Sequence, residues 1–315
     1  MKIFVAGGTG VLGRASLKAL VEAGHQVRAT ARSQEKAEIV RELGAEPVQV
    51  DLYDPKEVRQ AVSGSEAILR LTTKIPTIAK MRNRGAWEET NLLRTEGARI
   101  LVDAGVAEGA QVYVHESVTF VYADAGTQWI TEDAPTDDGE SKVLRSALDG
   151  EKEAARFSES GGRGIVLRFG GFYGAESNLT ADMISMMRRR LLVQPGPGGH
   201  YVSSIYIPDA GAAVLASLNL PAGTYNVADE NPVSFKDYLT TLADAVQAPK
   251  PFRFPGALGK VTFGGGVWSY LSRSQRVSNA RFKKASGWKP SVASVAEGWP
   301  IVAAALKPAA RAQAK

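Results

Sequence analysis

Residues 2–13, Lys-Ile-Phe-Val-Ala-Gly-Gly-Thr-Gly-Val-Leu-Gly, constrain the fold of this chain more than any other stretch. Ile3 to Ala6 is a short apolar run suited to a buried parallel strand. Gly7, Gly8, Gly10 and Gly13 then crowd a turn, and a helical pattern follows from Arg14 to Ala23. A tight turn alone could account for a glycine or two. A strand feeding a glycine-rich turn into a helix start is more specific, because main-chain N–H groups can then approach a pyrophosphate. The helix start adds unpaired donors and the positive end of its dipole. This opening predicts a nucleotide site.

The first half of the chain alternates in the same manner. Strands are expected at Ile3–Ala6, Gln26–Ala31, Glu46–Val50, Ala67–Leu71, Gln111–Glu116 and Gly164–Arg168. Helices are expected at Arg14–Ala23, Gln34–Leu43, Pro55–Val62, Glu88–Ala107 and Ser146–Ser158. Such βαβ alternation predicts an α/β fold, a Rossmann-type doubly wound parallel sheet that binds ligands beyond its carboxyl edge. Later segments read as a helix at Ser177–Leu192, a strand at Tyr201–Ile207, a helix at Asp209–Leu218, a strand at Gly223–Val227 and a helix at Ser234–Val246. The expected division is a dinucleotide-binding core over 1–174, with 201–228 returning to it. A small C-terminal α+β substrate lobe then occupies mainly 175–306, and a frayed basic tail 307–315.

Composition narrows the chemistry. The 315 residues contain no cysteine, which excludes disulfides, thiol catalysis and cysteine-held metal. Three histidines, His25, His115 and His200, stand far apart and show no metal-ligand spacing, so no metal is expected. Net charge is +5, but the basic residues are scattered apart from Arg188–Arg190 and the tail. No aromatic-interleaved basic stripe accompanies them, so an anionic dinucleotide is the preferred partner over nucleic acid. No apolar run is long enough for a bilayer, and the chain enters a strand at once without a signal peptide. A cytoplasmic protein with a small-molecule substrate is expected. A homodimer is compatible with this reading, though no pattern singles out its face.

The second strand ends Val27-Arg28-Ala29-Thr30-Ala31-Arg32-Ser33, with no carboxylate for a ribose 2′-OH. Arg32, with Ser33 and Arg28, can pair with a 2′-phosphate instead, so NADP(H) is favoured over NAD(H). Asp51 can contact the adenine amino group or cap a helix. Leu71 ends the fourth strand and Thr72 and Thr73 follow it, on the cofactor's side. The loop from Thr72 to Trp87 carries Ile75, Met81 and Trp87 as pocket-wall candidates. A second wall or lid is expected over Val261–Leu271, with Phe263, Trp268 and Tyr270 and a Gly264–Gly266 hinge. Phe172 and Tyr173 are further pocket candidates. For any single aromatic here, ordinary packing against the sheet is the competing explanation.

With several later motifs, the chain resembles the short-chain dehydrogenase/reductase superfamily, in its extended or atypical NAD-dependent epimerase/dehydratase-like branch. Gly7-Gly8-Thr9-Gly10-Val11-Leu12-Gly13 is similar to the family's glycine motif, and Asp51-Leu52 to its adenine-side pair. Thr90-Asn91 to Thr95 resembles its Asn-containing helix, and Arg168 to Gly174 its Arg-to-Tyr-Gly segment. Ile205–Ala210, Tyr225-Asn226-Val227, Gly287-Trp288-Lys289-Pro290 and Glu297-Gly298-Trp299 complete the resemblance, which covers nearly the whole chain. The family usually carries Tyr-x-x-x-Lys, whose tyrosine moves the proton at the substrate oxygen while the lysine lowers its pKa. This chain has no such motif, and the matching positions are Val143 and Ala147.

The remaining candidates lie in His115-Glu116-Ser117-Val118-Thr119-Phe120-Val121-Tyr122. Ser117 or Thr119 could hydrogen-bond a substrate oxygen, or cap backbone groups at a strand end. Glu116 could serve as a base if apolar neighbours raised its pKa. Tyr122 or Tyr173 could replace the missing acid, and His115 reads more readily as structural. The preferred reading is an NADP(H)-binding oxidoreductase or epimerase-type enzyme acting on a small, partly apolar carbonyl or hydroxyl compound. Two alternatives stay open: a catalytically silent NADP(H)-binding redox sensor, and a redox-neutral lyase or isomerase on the same scaffold.

Overall fold

In Lys2–Ala6 (β1), Ile3 and Val5 point to one side and Phe4 and Ala6 to the other, and all four are buried. A strand apolar on both faces must lie inside a sheet covered on both sides. The computed structural model, which describes residues 1–139, 141–255 and 272–306, builds that sheet from seven parallel strands. The others are Gln26–Thr30 (β2), Glu46–Val48 (β3), Ala67–Arg70 (β4), Val112–Val118 (β5), Arg163–Phe169 (β6) and Gly223–Val227 (β7). Their spatial order is β7-β6-β5-β4-β1-β2-β3. The order reverses between β1 and β4, which opens a crevice at the carboxyl edge where such sheets take ligands.

One face is covered by Val11–Glu22 (α1), Gln34–Glu42 (α2) and, after the intervening helices, Ile207–Ser217, whose Leu12, Leu17, Val40, Ala210 and Val214 share a core with Ile3 and Val5. The other face carries Pro55–Val62 (α3), Glu96–Ala107 and Lys142–Glu159, which bury Val58, Leu101 and Phe157 against Phe4 and Tyr113. The helix starts carry local signals: Ser33 accepts from the Lys36 N–H, and Asp54 from Lys56 and Glu57 ahead of Pro55. A third cluster, built on Tyr173, Leu239, Leu242 and Trp299, lies beyond the sheet.

Several boundaries differ from expectation for identifiable reasons. The helix expected over Glu88–Ala107 is two, Glu88–Arg94 (α4) and Glu96–Ala107 (α5). Thr95 stands between them with ψ −79° and turns its hydroxyl back to the Asn91 carbonyl at 3.0 Å. The next helix, Lys142–Glu159 (α6), starts four residues earlier than expected. Asn178–Arg188 (α7) ends before Leu192, where Arg190 takes a φ of +59°. Tyr201–Ile207 is not one strand. Tyr201–Val202 pairs with Val233–Ser234, Ser204–Tyr206 pairs with Gly171–Tyr173, and Ser203 between them spends its hydroxyl on Gln275 and Val277. Ile207 already belongs to the following helix, Ile207–Ser217 (α8). The expected lid over Val261–Leu271, with Phe263, Trp268, Tyr270 and its glycines, and the basic tail lie outside the described residues.

A buried acid sits just beyond β7. Asp229 is 3% exposed, and one of its oxygens accepts from the Tyr206 N–H at 3.2 Å. Burial raises its pKa well above the usual range, with Asp209 and Glu297 adding to the rise against the Tyr173 hydroxyl and the Tyr206 N–H. An unfolded aspartate ionises near 3.9, so above that pH the folded state retains a proton that the unfolded state has lost. This group's stability is therefore complete below about pH 3.9 and declines as pH climbs toward the folded value. Asp229→Asn keeps the acceptor for Tyr206 and removes the titration. It is expected to gain on the order of 1 kcal/mol near neutral pH. Its melting temperature should fall less steeply than the wild type's as pH rises above about 3.9; parallel slopes would remove Asp229 as the cause.

Candidate active site

The turn between β1 and α1 is built by close approach. Gly7 has φ +99°, and a Cβ there would lie 2.7 Å from the Leu71 carbonyl oxygen, so this strand end and that of β4 touch through backbone. A Cβ on Gly13 would fall 2.0 Å from the Gly7 oxygen, so only glycine lets α1 start this close to β1. Gly10 differs: its Cβ would meet just one atom within 4 Å, the Gly7 oxygen at 3.3 Å. Gly8 and Leu12 are buried, whereas Thr9, Gly10 and Val11 reach the surface of the turn. Gly10 is the N-cap of α1 and offers no side chain to the helix's first N–H groups, and the first turn holds no acidic residue. An open, positively polarised notch with unpaired amides fits the diphosphate of a dinucleotide.

Around this notch the other cofactor candidates take varied places. Arg32 is exposed at the end of β2 and pairs with Glu89 of α4 at 2.7 Å. Ser33 caps α2. Asp51 is exposed beyond β3 and accepts from the Tyr53 N–H at 2.9 Å, while Leu52 is buried beneath it. Leu71 and Thr72 are buried beside the glycine turn, with Thr73 half-buried. Asn91 accepts from the Ser146 hydroxyl at 2.9 Å, which joins α4 to α6. Arg28 requires a correction as a phosphate ligand. From the middle of β2 it donates to the Ser63 carbonyl and reaches Ser65, both at the amino edge of the sheet. Trp87 half-lines the loop after β4, and its indole N–H closes that loop on the Met81 carbonyl at 2.9 Å.

The proton-moving candidates are largely committed elsewhere. Glu116 is 4% exposed and pairs with Arg70, which also donates to the carbonyls of Glu116, Thr72 and Leu93. This corrects its reading as a base: it neutralises a fully buried guanidinium. Ser117 donates to Glu151 at 2.6 Å, and the same carboxylate takes a two-pronged contact from Arg168 at 2.9 and 2.6 Å. Burial opposes the charge on Arg168, but Glu151 outweighs it and raises the guanidinium's pKa. Tyr122 is fully buried beneath the Arg168 guanidinium, 4.8 Å from its ring centroid, and donates to Asn226 at 2.7 Å. Burial raises its pKa, so its reading as a free acid is also corrected.

Tyr173 lies inside the third core against Trp299, with ring centroids 5.0 Å apart, and Phe172 packs on Phe169 at 5.3 Å. Both are packing residues, so Tyr173 is corrected as a pocket wall. His115 is fully buried beside Tyr113, and burial, with Arg70 and Arg94 adding, pushes its pKa well down. It is neutral and structural. Thr119 keeps a buried hydroxyl with no partner among the described residues. Val143 and Ala147 sit in the first turns of α6, where the Val143 carbonyl accepts from Arg94 and Ser146. The Arg70–Glu116 and Arg168–Glu151 pairs escaped sequence reasoning. A single arginine inside Ala-Ile-Leu-Arg-Leu was the available signal, since a buried cation demands a partner.

This fold and notch define a nucleotide-binding α/β protein, and comparison with known proteins specifies the class. The model of a family described as NAD(P)H-binding matches residues 7–173. A 3-diazoavenalumate denitrifying reductase of a Streptomyces species is 31% identical over 308 residues, covering 95% of this chain and 99% of that protein. A ceramide reductase of Caulobacter vibrioides is 24% identical over 307 residues, 95% of this chain and 89% of that protein. The solved structure of a human epimerase family protein with NADPH superposes with a TM-score of 0.80 at 20% identity, covering 97% of this chain and 100% of that one. The chain belongs to the NAD(P)H-binding family, and the solved structure shares its fold. Among the described residues, no helix is long and apolar enough to cross a membrane.

Proposed function

We propose that this protein is an NADPH-dependent reductase whose substrate accepts hydride without a proton from a tyrosine. The observation that carries this reading is the replacement of the Tyr-x-x-x-Lys pair by Val143 and Ala147, with Ser117, Glu116 and Tyr122 already bound to internal partners. When bound, the reduced nicotinamide supplies the hydride. The glycine notch and the first turn of α1 hold the diphosphate, and Arg32 favours a 2′-phosphate. A ketone becomes an alkoxide as hydride arrives, and a site without an acid stabilises that charge poorly. An acceptor that carries its own positive charge is instead neutralised.

An arene diazonium meets this requirement. Hydride delivered to it leaves an uncharged species that loses dinitrogen, so ArN₂⁺ and NADPH give ArH, N₂ and NADP⁺. The name of the Streptomyces relative, a reductase that removes nitrogen from a diazo compound, supports this substrate class. Val143 and Ala147 suit it, because apolar walls keep water from a reactive cation. The test is to mix purified protein, NADPH and a diazo-substituted aromatic acid and follow absorbance at the nicotinamide band together with released N₂. One N₂ per NADPH oxidised is expected. Oxidation with ketones and none with the diazo acid would overturn the substrate class. A second reading rests on the unpartnered Thr119 hydroxyl, which could donate to the oxygen of a carbonyl substrate. Under it, Thr119→Val would abolish ketone reduction, whereas diazo turnover should be insensitive to that change.

A further inference from the structure

The acid missing from the end of β2 is supplied from elsewhere in the chain. Glu89, in the first turn of α4, places one oxygen 2.7 Å from the Arg32 guanidinium and the other on the Lys74 ammonium. Lys74 is not on a loose loop. Its N–H donates to the Thr90 hydroxyl at 3.2 Å, and that hydroxyl donates back to the Lys74 carbonyl at 2.6 Å. Thr90 is fully buried, so the backbone of Lys74 is fixed to α4. Beside this cluster the Tyr53 hydroxyl is buried without a partner among the described residues, within electrostatic reach of Glu89 and Arg32. Two cations from two segments thus flank one carboxylate at the outer lip of the cofactor crevice, with the Tyr53 ring beside them.

We propose that Arg32, Lys74 and the Tyr53 hydroxyl form the seat for the cofactor's ribose 2′-phosphate, and that Glu89 is the internal anion this phosphate displaces. The proposal rests on the NADP(H) reading above and adds Lys74, Tyr53 and Glu89 to it. A carboxylate between two cations marks a position where an anion is stable. A phosphate carries more charge and more acceptor oxygens than a carboxylate, and it can engage the guanidinium in two prongs as well as the ammonium. The two anions cannot share the seat without repulsion. Glu89 must swing away, and its exposure leaves it water to swing into. Because Lys74 and Glu89 flank the connection from β4 to α4, occupation of the seat is felt by the loop that carries Trp87.

The test measures dissociation constants for NADPH and NADH with the full chain at low ionic strength. Lys74→Ala is expected to weaken NADPH about tenfold or more, the worth of one charge-assisted hydrogen bond, and to change NADH less than about twofold. Glu89→Gln should tighten NADPH by several-fold and leave NADH unchanged, because the competing charge is gone. If Glu89→Gln instead weakens NADH, the carboxylate grips a ribose 2′-OH and the proposal is overturned. If Arg32→Ala lowers the preference for NADPH while Lys74→Ala does not, this seat is wrong and the NADP(H) reading survives. A wild-type protein that binds both cofactors equally, with Arg32→Ala weakening both alike, removes that reading itself.

Discussion

Arg168→Ala is expected to destabilise this protein by about 3–5 kcal/mol, the cost of leaving one partner of a buried ion pair alone. Arg168 and Glu151 have side chains only 8% and 10% exposed, joined by two hydrogen bonds. Removing the guanidinium strands a carboxylate that Ser117 alone cannot satisfy, and it strips the cation from the face of Tyr122. Arg168→Lys should fall between, since an ammonium keeps the charge but loses the planar fork. The double change Arg168→Met with Glu151→Leu should recover much of the loss, because the desolvation cost of both charges disappears with them. Chemical denaturation of the four proteins makes the comparison. A single variant with wild-type stability would mean that Glu151 finds another donor, and that the pair does not tie β6 to α6.

What the amino-acid order reveals about this fold depends on how locally each feature is determined. The opening strand and glycine turn were legible because a run of apolar residues and four glycines act over a dozen positions. The β7 strand, Gly223–Val227, was legible to the residue because Thr224, Tyr225 and Val227 are strand-favouring side chains close together in the chain. The break at Thr95 was not, because it depends on a hydroxyl choosing its own helix's carbonyl over solvent. Long-range pairing hid more. Arg32 reads as a free cation for phosphate, yet Glu89, 57 positions later, already holds it. Tyr122 reads as a phenol at a sheet edge, but Asn226 lies 104 residues on and claims its proton. Periodicity places a side chain on a face; it does not say which distant group meets it there.

The largest effect on cofactor binding should come from a position where the fold itself would hardly notice the change. Gly10→Ala adds a methyl group to a residue with φ −71° and ψ 173°, a conformation alanine adopts without strain. Its only close neighbour would be the Gly7 oxygen at 3.3 Å, so thermal stability should shift by no more than about 0.5 kcal/mol. The methyl group nevertheless projects into the notch proposed to hold the diphosphate against the amides of α1, and it should weaken NADPH and NADH equally, by tenfold or more, on the order of a lost charge-assisted hydrogen bond. Gly13→Ala provides the contrast. There the new carbon would meet the Gly7 oxygen at 2.0 Å, and α1 would have to move off β1. Overpacking of that kind costs about 1–3 kcal/mol, so stability and binding should fall together. Paired calorimetry and thermal melts separate the two. Should Gly10→Ala bind both dinucleotides as the wild type does, the diphosphate does not lie over this turn, and the seat at Arg32 could not receive a 2′-phosphate either.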